Sequence, residues 1–272
     1  MSIRADYHLH SSFSGDSETP MEDMIRQGIA SGLTALCFTE HMDLDYVYEL
    51  PQEEGMFELN AESYRQALFT FREKYRERIQ LLFGIELGLQ PHLADRLLTY
   101  TDNYDFDFII GSSHLCNGKD PYYPSFYEGR SDEEAYREYF LSILENLKVF
   151  DNFDVYGHID YVVRYGKTKD ENYCYEAYQD IFEQILKVLI QKGKGLEINT
   201  GAISYGLKEL NPCTAILRRY RQLGGELVTV GSDAHDTQNL ARGFDRAAQI
   251  LKDCGFRYYT VFEKRKPSFL PL

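Results

Sequence analysis

The chain has 272 residues, a hydrophobic fraction of 43% and a formal net charge of −14, from 43 acidic and 29 basic residues. This length suits one large α/β domain or two small ones, and the negative charge argues against a nucleic-acid polymer as ligand, because such binding needs a basic surface. No signal peptide, no apolar run of about 18 residues and five scattered cysteines predict a cytoplasmic protein with reduced thiols and no membrane partner.

Short β-branched runs alternate with longer amphipathic segments, a pattern typical of βα units. In chain order, the predicted strands are 6–10, 35–39, 80–85, 106–111, 155–157, 196–198 and 227–231, with a candidate eighth at 258–262. The predicted helices are 20–30, 60–78, 92–101, one from the capping box of Ser131 and Glu134, 172–191, one from 212 to 224, and 243–253. No repeat or linker interrupts this series, so we predict a single domain over 1–272.

Seven or eight βα units predict a barrel related to the (β/α)8 fold, with a doubly wound open sheet as the alternative. His, Glu or Asp stands at the carboxyl end of most predicted strands. In a barrel these ends converge on one mouth, whereas an open sheet spreads them along a line. We therefore favour the barrel, with the functional site at the C-terminal ends of its strands.

The histidines follow this pattern closely. In a strand, Asp6, His8 and His10 share one face. Six of the seven histidines stand at predicted strand ends, namely His8, His10, His41, His114, His158 and His235, and we expect only His92 at the surface. Carboxylates in comparable positions are Asp16, Glu86 and Asp233. Imidazole and carboxylate suit zinc, manganese or iron, and nine ligands suit two or three divalent ions rather than one.

Six ordered motifs carry a family resemblance. They are D-x-H-x-H at 6–10, T-E-H at 39–41, G-x-E at 84–86, S-x-H at 112–114, G-H-x-D at 157–160 and S-D-A-H at 232–235. The set resembles the polymerase and histidinol phosphatase (PHP) family, and within it the stand-alone histidinol-phosphate phosphatases. The resemblance covers residues 3–262 and implies a distorted, TIM-like (β/α)7 barrel with a trinuclear metal site.

Carried over residue by residue, the resemblance assigns each ion a set of ligands. His8, His10, Glu86 and Asp233 hold the first ion. Glu86 bridges to a second ion, which His114 and His158 complete, while Asp16, His41 and His235 hold the third. Some family members have histidine where this chain has Asp16, which leaves the third site less defined.

A cluster of divalent ions favours a phosphate ester as substrate. Our hypothesis is a phosphomonoesterase that hydrolyses L-histidinol phosphate to L-histidinol and phosphate in histidine biosynthesis, by attack of a metal-bridging hydroxide on phosphorus. The catalytic set is Glu86, Asp233, His235 and Arg164. The alternatives are a relative acting on another small phosphoester or on nucleic-acid ends, and a non-catalytic metal-binding barrel.

For the phosphate we favour Arg164, with Arg130, Lys119 and Arg242 as alternatives. The loop after His41 is acidic and aromatic, and we expect its Asp43 and Asp45 to bind the amine and imidazole of the substrate; a merely solvated acidic loop is the alternative. Asp6 and Asp160 are predicted to orient the ligand histidines, or otherwise to bond a strand or turn. We expect a monomer or homodimer.

Overall fold

Eight parallel strands make up the central sheet of a computed structural model that describes residues 3–272. The strands are β1 (Ala5–Leu9), β2 (Ala35–Phe38), β3 (His41–Met42), β4 (Gln80–Gly88), β5 (Phe108–Ser112), β6 (Val155–Tyr156), β7 (Gly195–Asn199) and β8 (Val228–Gly231). Seven of them pair in the order β1-β2-β4-β5-β6-β7-β8, and the short β3 pairs with β4 alone.

The sheet closes into a barrel where β8 meets β1. The Asp233 N–H donates to the His8 carbonyl (2.7 Å), and the His10 N–H donates to the Ala234 carbonyl (2.9 Å). These bonds join the last strand of the series to the first, as an open sheet cannot. The predicted seven-stranded, TIM-like barrel is therefore confirmed, and the doubly wound alternative is excluded.

Helices lie between the strands and cover the outside of the barrel. They are α1 (Met21–Ala30), α2 (Ala61–Tyr75), α3 (Ala94–Asp102), α4 (Asp132–Val149), α5 (Gln179–Gln191), α6 (Thr214–Gln222) and α7 (Phe244–Asp253). Ser131 and Glu134 form the predicted capping box of α4, and Asn60 caps α2 by accepting from the Ser63 N–H. None of the helices within residues 3–272 is long and apolar enough to cross a bilayer.

The candidate eighth strand is a strand, but not a barrel strand. It is β9 (Tyr258–Glu263), which pairs with β10 (Lys266–Pro271) in an antiparallel hairpin. Lys264 and Arg265 both have positive φ and form the two-residue turn, the geometry that matches the twist of paired strands. The Tyr7 hydroxyl donates to the Phe262 carbonyl (2.7 Å), so the hairpin packs against the barrel end where β1 begins.

Other boundaries differ from the prediction for local reasons. Strand β4 runs through Glu86 to Gly88 because β3 and β5 both pair with its second half. Helix α2 ends at Tyr75, three residues before the predicted end. The predicted helix 172–191 becomes α-helical only at Gln179, after a 3-10 turn at Tyr175–Tyr178.

Candidate metal centre

The mouth of the barrel gathers all nine of the side chains predicted as metal ligands. They come from β1, β3, β4 and the segments that follow β1, β5, β6 and β8. The set is His8, His10, Asp16, His41, Glu86, His114, His158, Asp233 and His235. No single βα unit supplies the cluster, so it depends on closure of the whole barrel.

Glu86 lies at the middle of the cluster and is fully buried. Its Oε2 atom is 3.1 Å from His8 Nε2 and 3.6 Å from His10 Nε2. Its Oε1 atom is 3.2 Å from His114 Nε2 and 2.9 Å from His158 Nε2. His41 Nδ1 also lies 3.1 Å from Oε2, so one oxygen of Glu86 faces three imidazoles and the other faces two, a position suited to a carboxylate that bridges two ions.

Asp233 and Asp16 serve other parts of the cluster. Asp233 Oδ1 lies 3.5 Å from Nε2 of both His8 and His10. Asp16 Oδ2 lies 3.1 Å from His235 Nε2 and 3.5 Å from His41 Nε2. The His10 ring stacks between those of His41 and His235, at centroid distances of 4.1 and 4.2 Å, and so connects the two groups.

The donor set fits divalent ions. His10 Nε2, His41 Nδ1 and His235 Nε2 are buried and make no hydrogen bond to any part of the chain that the structure describes. Four overlapping groups of three potential ligand atoms lie within 4.8 Å of one another. Buried imidazole nitrogens without partners are costly in a protein interior, and a metal ion is the partner that several of them can share.

Charges within the cluster keep its carboxylates ionised and act in opposite directions on its histidines. Burial and the neighbouring His41 and His235 lower the pKa of His10 well below its ordinary value, so its imidazole is neutral. Burial would raise the pKa of Glu86, but the histidines around it, His8 foremost, outweigh burial and lower it. The neighbouring carboxylates raise the pKa values of His8, His41 and His114, so binding of metal ions there would displace protons from these imidazoles.

The alternation expected along β1 breaks at a bulge. The register with β2 shifts between Asp6 and Leu9. The side chains of His8 and His10 both reach the cluster, but the side chain of Asp6 does not. The ring of Tyr7, between Asp6 and His8, packs on Phe108. The Asp6 carboxylate accepts backbone N–H groups of His8, Ser232 and Ala241. Of the two roles predicted for Asp6, the structure thus shows the bond to the strand backbone and not a contact with a ligand imidazole: Asp6 holds the backbone where β1 meets β8.

Glu197 on β7 takes the place that we expected for Asp6. Its Oε1 lies 2.6 Å from His8 Nδ1, and its Oε2 accepts the His158 N–H (2.9 Å) and the Asn199 side-chain amide (3.1 Å). The sequence analysis missed this residue. A carboxylate in the middle of the apolar strand L-E-I-N was the available signal, because a charge buried in a strand needs a partner.

A second contact of this kind involves Asp43. Its Oδ1 lies 2.7 Å from His114 Nδ1, so one oxygen of this predicted substrate-binding residue contacts a candidate ligand. Ser14 lies similarly between Glu40 and His10, with its hydroxyl 2.6 Å from the Glu40 carboxylate and 3.1 Å from His10 Nδ1. Ser14 was not singled out from the sequence, and Glu40 was named there only as part of the T-E-H motif, without a role.

A cavity of about 210 Å³ opens above the cluster. Arg164 lines it, is buried, and is the only Arg or Lys among its described lining residues. Its Nη1 donates to Asp233 Oδ2 (2.9 Å), Nη2 to the Asn199 side chain (2.9 Å) and Nε to the Asn211 side chain (2.8 Å). These three acceptors fix the guanidinium beside the cluster with N–H groups to spare.

Other predicted residues lie away from the cavity. Asp45 forms a surface ion pair with Arg96 (2.8 Å) and contacts the exposed His92, so the expectation that it binds substrate is wrong. Arg130 pairs with Glu138 and lies over the Phe126 ring, which removes it as a phosphate ligand. Lys119 and Arg242, the other two alternatives, are not among the lining residues either.

Asp160 also has a role different from the one predicted. It accepts from the Asn211 amide (2.7 Å), the Cys213 N–H (2.9 Å) and the Tyr173 hydroxyl (3.2 Å), and none of these is a histidine. Since Asn211 bonds Arg164, the Asp160 carboxylate supports the arginine through an intermediate residue. Burial raises the pKa of Asp160 to about 6.

Comparison with known proteins identifies a family model and several relatives that match this chain. The model of the PHP domain matches residues 6–201. A histidinol-phosphatase of Lactococcus lactis is 32% identical over 265 residues, which are 97% of this chain and 96% of that protein. A relative in Clostridium acetobutylicum, named probable histidinol-phosphatase, is 33% identical over 261 residues, which are 96% of this chain and 97% of that protein.

Solved structures agree with the architecture. The crystal structure of histidinol phosphate phosphatase from Lactococcus lactis, complexed with zinc, L-histidinol and phosphate, superimposes with a TM-score of 0.88 at 32% identity, covering 97% of this chain and 98% of that one. A crystal structure from Listeria monocytogenes has a TM-score of 0.78 at 19% identity, covering 89% and 99% of the two chains. The second likeness bears on the fold alone.

Proposed function

The chain belongs to the PHP domain family, and from this premise we propose that it hydrolyses L-histidinol phosphate to L-histidinol and phosphate with the help of bound divalent metal ions. The observation that carries the proposal is the Glu86-centred cluster of imidazoles and carboxylates beside a cavity with one buried arginine. The Lactococcus lactis relative, which resembles this chain over nearly its full length, was crystallised with zinc, L-histidinol and phosphate.

We propose that three groups of side chains hold the ions. His8, His10, Glu86 and Asp233 form the first group; Glu86, His114 and His158 form the second. Asp16, His41 and His235 form the third. The contacts of Glu86 support the separation of the first group from the second, since Oε2 faces His8 and His10 whereas Oε1 faces His114 and His158; His41 also contacts Oε2 and so lies between the first and third groups. Zinc, manganese and iron all accept such ligands.

When bound, such ions bind phosphoryl oxygens and lower the pKa of a coordinated water toward neutrality. The side chains of this protein supply the rest. Arg164 donates to a phosphoryl oxygen through the N–H groups left free by Asn199, Asn211 and Asp233. Glu86 and Asp233, ionised although buried, hold the cluster together, and His235 faces the cavity at its edge.

Several finer points belong to the same proposal. We assign the reaction to histidine biosynthesis, and we place the protein in the cytoplasm as a monomer or homodimer. We treat residues 1–272 as one metallophosphoesterase domain. The contacts of β9 with the barrel support this last point, because the hairpin shares the apolar interior with β1 through Tyr7 and Phe262.

Phosphate release from a panel of phosphomonoesters tests the proposal. With protein reconstituted in zinc or manganese, L-histidinol phosphate should be hydrolysed far faster than 4-nitrophenyl phosphate or glycerol phosphate. Weak and equal activity on all of them would refute the substrate assignment.

A pair of histidine variants tests the metal groups. His158→Ala should lose one equivalent of metal by elemental analysis and nearly all turnover, because its Nε2 atom contacts the Glu86 oxygen shared with His114. His92→Ala, at an exposed histidine outside the cluster, is the matched control and should keep both. Full metal content and turnover in His158→Ala would contradict the assignment.

A further inference from the structure

Two loops form the outer wall of the cavity, 43–58 after β3 and 115–127 after β5. Three hydrogen bonds join them, each from a hydroxyl to a carboxylate: Tyr46 to Asp120, Tyr123 to Glu53, and Ser125 to Glu49. The three acceptors are the carboxylates of Asp120, Glu53 and Glu49.

Asp120 differs from the other two in its surroundings. It is 6% exposed and lines the cavity; Glu53 also lines the cavity but is only half-buried, and Glu49 is exposed and lies outside it. Its oxygens accept from the Tyr122 N–H (2.7 Å) and the Tyr46 hydroxyl, and it forms no salt bridge with a Lys or Arg within residues 3–272. Burial raises its pKa to about 6, so Asp120 is mostly ionised near neutral pH without a cationic partner.

A second carboxylate of the same cavity, that of Asp43, has only one of its two oxygens in a hydrogen bond. Asp43 contacts His114 with one oxygen, but its Oδ2 is buried and makes no hydrogen bond to any described residue. The one arginine of the cavity wall is already paired with Asp233. Asp43, Glu53 and Asp120 thus line one part of the cavity, where histidines are the only basic side chains in contact with any of them among the described lining residues. This excess of carboxylates favours a ligand with a positive charge.

We propose that Asp120 binds the positively charged nitrogen group of the substrate, the amino or imidazolium group, while Arg164 binds the phosphate. The inference rests on the proposed function and assigns Asp120 to the recognition of the organic part of that substrate. Tyrosine rings stand beside this position: Tyr122 packs edge-on against Tyr165 at 5.4 Å, and Tyr165 against Tyr161 at 5.1 Å. Aromatic faces of this kind attract cations and stack on flat rings.

Comparison of two substrates tests the proposal. L-Histidinol phosphate has both nitrogen groups, and 4-nitrophenyl phosphate has neither. Asp120→Asn keeps the size of the side chain and removes its charge. We expect kcat/KM for L-histidinol phosphate to fall about 10- to 100-fold, mainly through KM, because a hydrogen bond to a charged group is lost. The value for 4-nitrophenyl phosphate should change little, and L-histidinol alone should bind correspondingly more weakly by calorimetry.

Two further variants separate binding from loop positioning. Tyr46→Phe removes the hydroxyl that ties Asp120 to the opposite loop but keeps the carboxylate, so the ratio of kcat/KM for the two substrates should be preserved. Glu49→Gln changes the corresponding carboxylate outside the cavity and should affect neither substrate. Metal content is measured for every variant, so that a loss of ions is not mistaken for a loss of substrate binding.

The possible results distinguish this inference from the proposed function. An equal fall for both substrates in Asp120→Asn, or the same change of ratio in Tyr46→Phe, would show that Asp120 only holds the loops together and would overturn the inference. A wild-type protein that does not prefer L-histidinol phosphate would overturn the proposed function itself, whatever Asp120→Asn does.

Discussion

At the scale of single residues, the candidate ligands are oriented by buried carboxylates that are not candidate ligands themselves. Glu197 contacts His8 Nδ1 and also holds the backbone of His158. It therefore orients two candidate ligands from a strand that supplies none of the nine. Such partners fix which imidazole nitrogen is free and where it points.

Glu197→Gln is expected to weaken metal binding about 10- to 100-fold, the usual effect of removing a carboxylate behind a ligand histidine. The amide keeps the side-chain shape but accepts the His8 N–H less strongly. Competition with a fluorescent chelator measures the affinity, and Glu226→Gln, at an exposed position, is the control. Unchanged affinity in Glu197→Gln would mean that His8 needs no such partner.

Arg164→Lys is expected to lower kcat/KM for L-histidinol phosphate about 100-fold or more. An ammonium group cannot reproduce the planar guanidinium that bonds Asn199, Asn211 and Asp233 together, so both its position and its phosphate contact are lost. Steady-state kinetics measure the effect. Arg130→Lys, at the surface pair with Glu138, should behave as wild type, and equal losses in both variants would refute the role of Arg164.

At this scale, the sequence predicts the positions of those site residues that follow from local spacing. Residues at strand ends, such as His114 and His158, can be placed because a barrel brings all strand ends to one mouth. Glu197 and Asp120 could not be placed in the same way. The role of Glu197 depends on a contact with β1, the role of Asp120 depends on the distant Tyr46, and neither contact has a local signature.

At the scale of secondary-structure elements, the prediction was most reliable where side chains determine the boundary. The capping box of Ser131 and Glu134 marked the start of α4 correctly. The bulge in β1 and the pairing of β9 with β10 were not predicted, because both depend on which strands lie alongside. The same 258–262 segment satisfies the strand pattern whether it joins the barrel or a hairpin.

Helices α5 and α6 are joined by a carboxylate whose effect depends on pH. Glu183 accepts from Arg219 and Tyr175 and pairs with Lys187, and the Arg219 hydrogen bond is the main cause that lowers its pKa from 4.5 to about 2. A lowered carboxyl pKa stabilises the folded state above the pKa of the unfolded chain. This contribution is lost as the pH falls from about 4.5 toward 2.

Glu183→Gln should therefore lower the free energy of unfolding by up to about 1 kcal/mol at pH 7, since the pair is close to solvent. The difference from wild type should shrink at pH 4. Urea unfolding at the two pH values measures both quantities, with the exposed Glu176→Gln as control. A difference that is the same at both pH values would exclude the carboxylate charge as its source.

At the scale of the whole molecule, the metal centre and the closure of the barrel involve the same residues. His8 and His10 lie on one side of the β1–β8 seam, and Asp233 and His235 on the other. Ions bound across this seam would stabilise the closed barrel, because the unfolded chain does not form the site.

Removal of the ions with a chelator is expected to lower the melting temperature by roughly 5–10 °C, which corresponds to about 2.7 kcal/mol for a ligand present at 100 times its dissociation constant. Zinc should restore it. Differential scanning calorimetry measures the shift, and Glu86→Gln should show a smaller one. Equal melting temperatures with and without chelator would separate the metal centre from barrel closure.

The β1–β8 seam joins residues that are translated early to residues that are translated late. His8 and His10 are translated before the rest of the barrel, whereas Asp233 is translated only after the strands from β1 to β8. A nascent or truncated chain that stops before β8 therefore lacks the carboxylate that faces both early histidines. Such a chain also cannot form the hydrogen bonds that close the barrel, so the ligand cluster and the closed barrel are completed together.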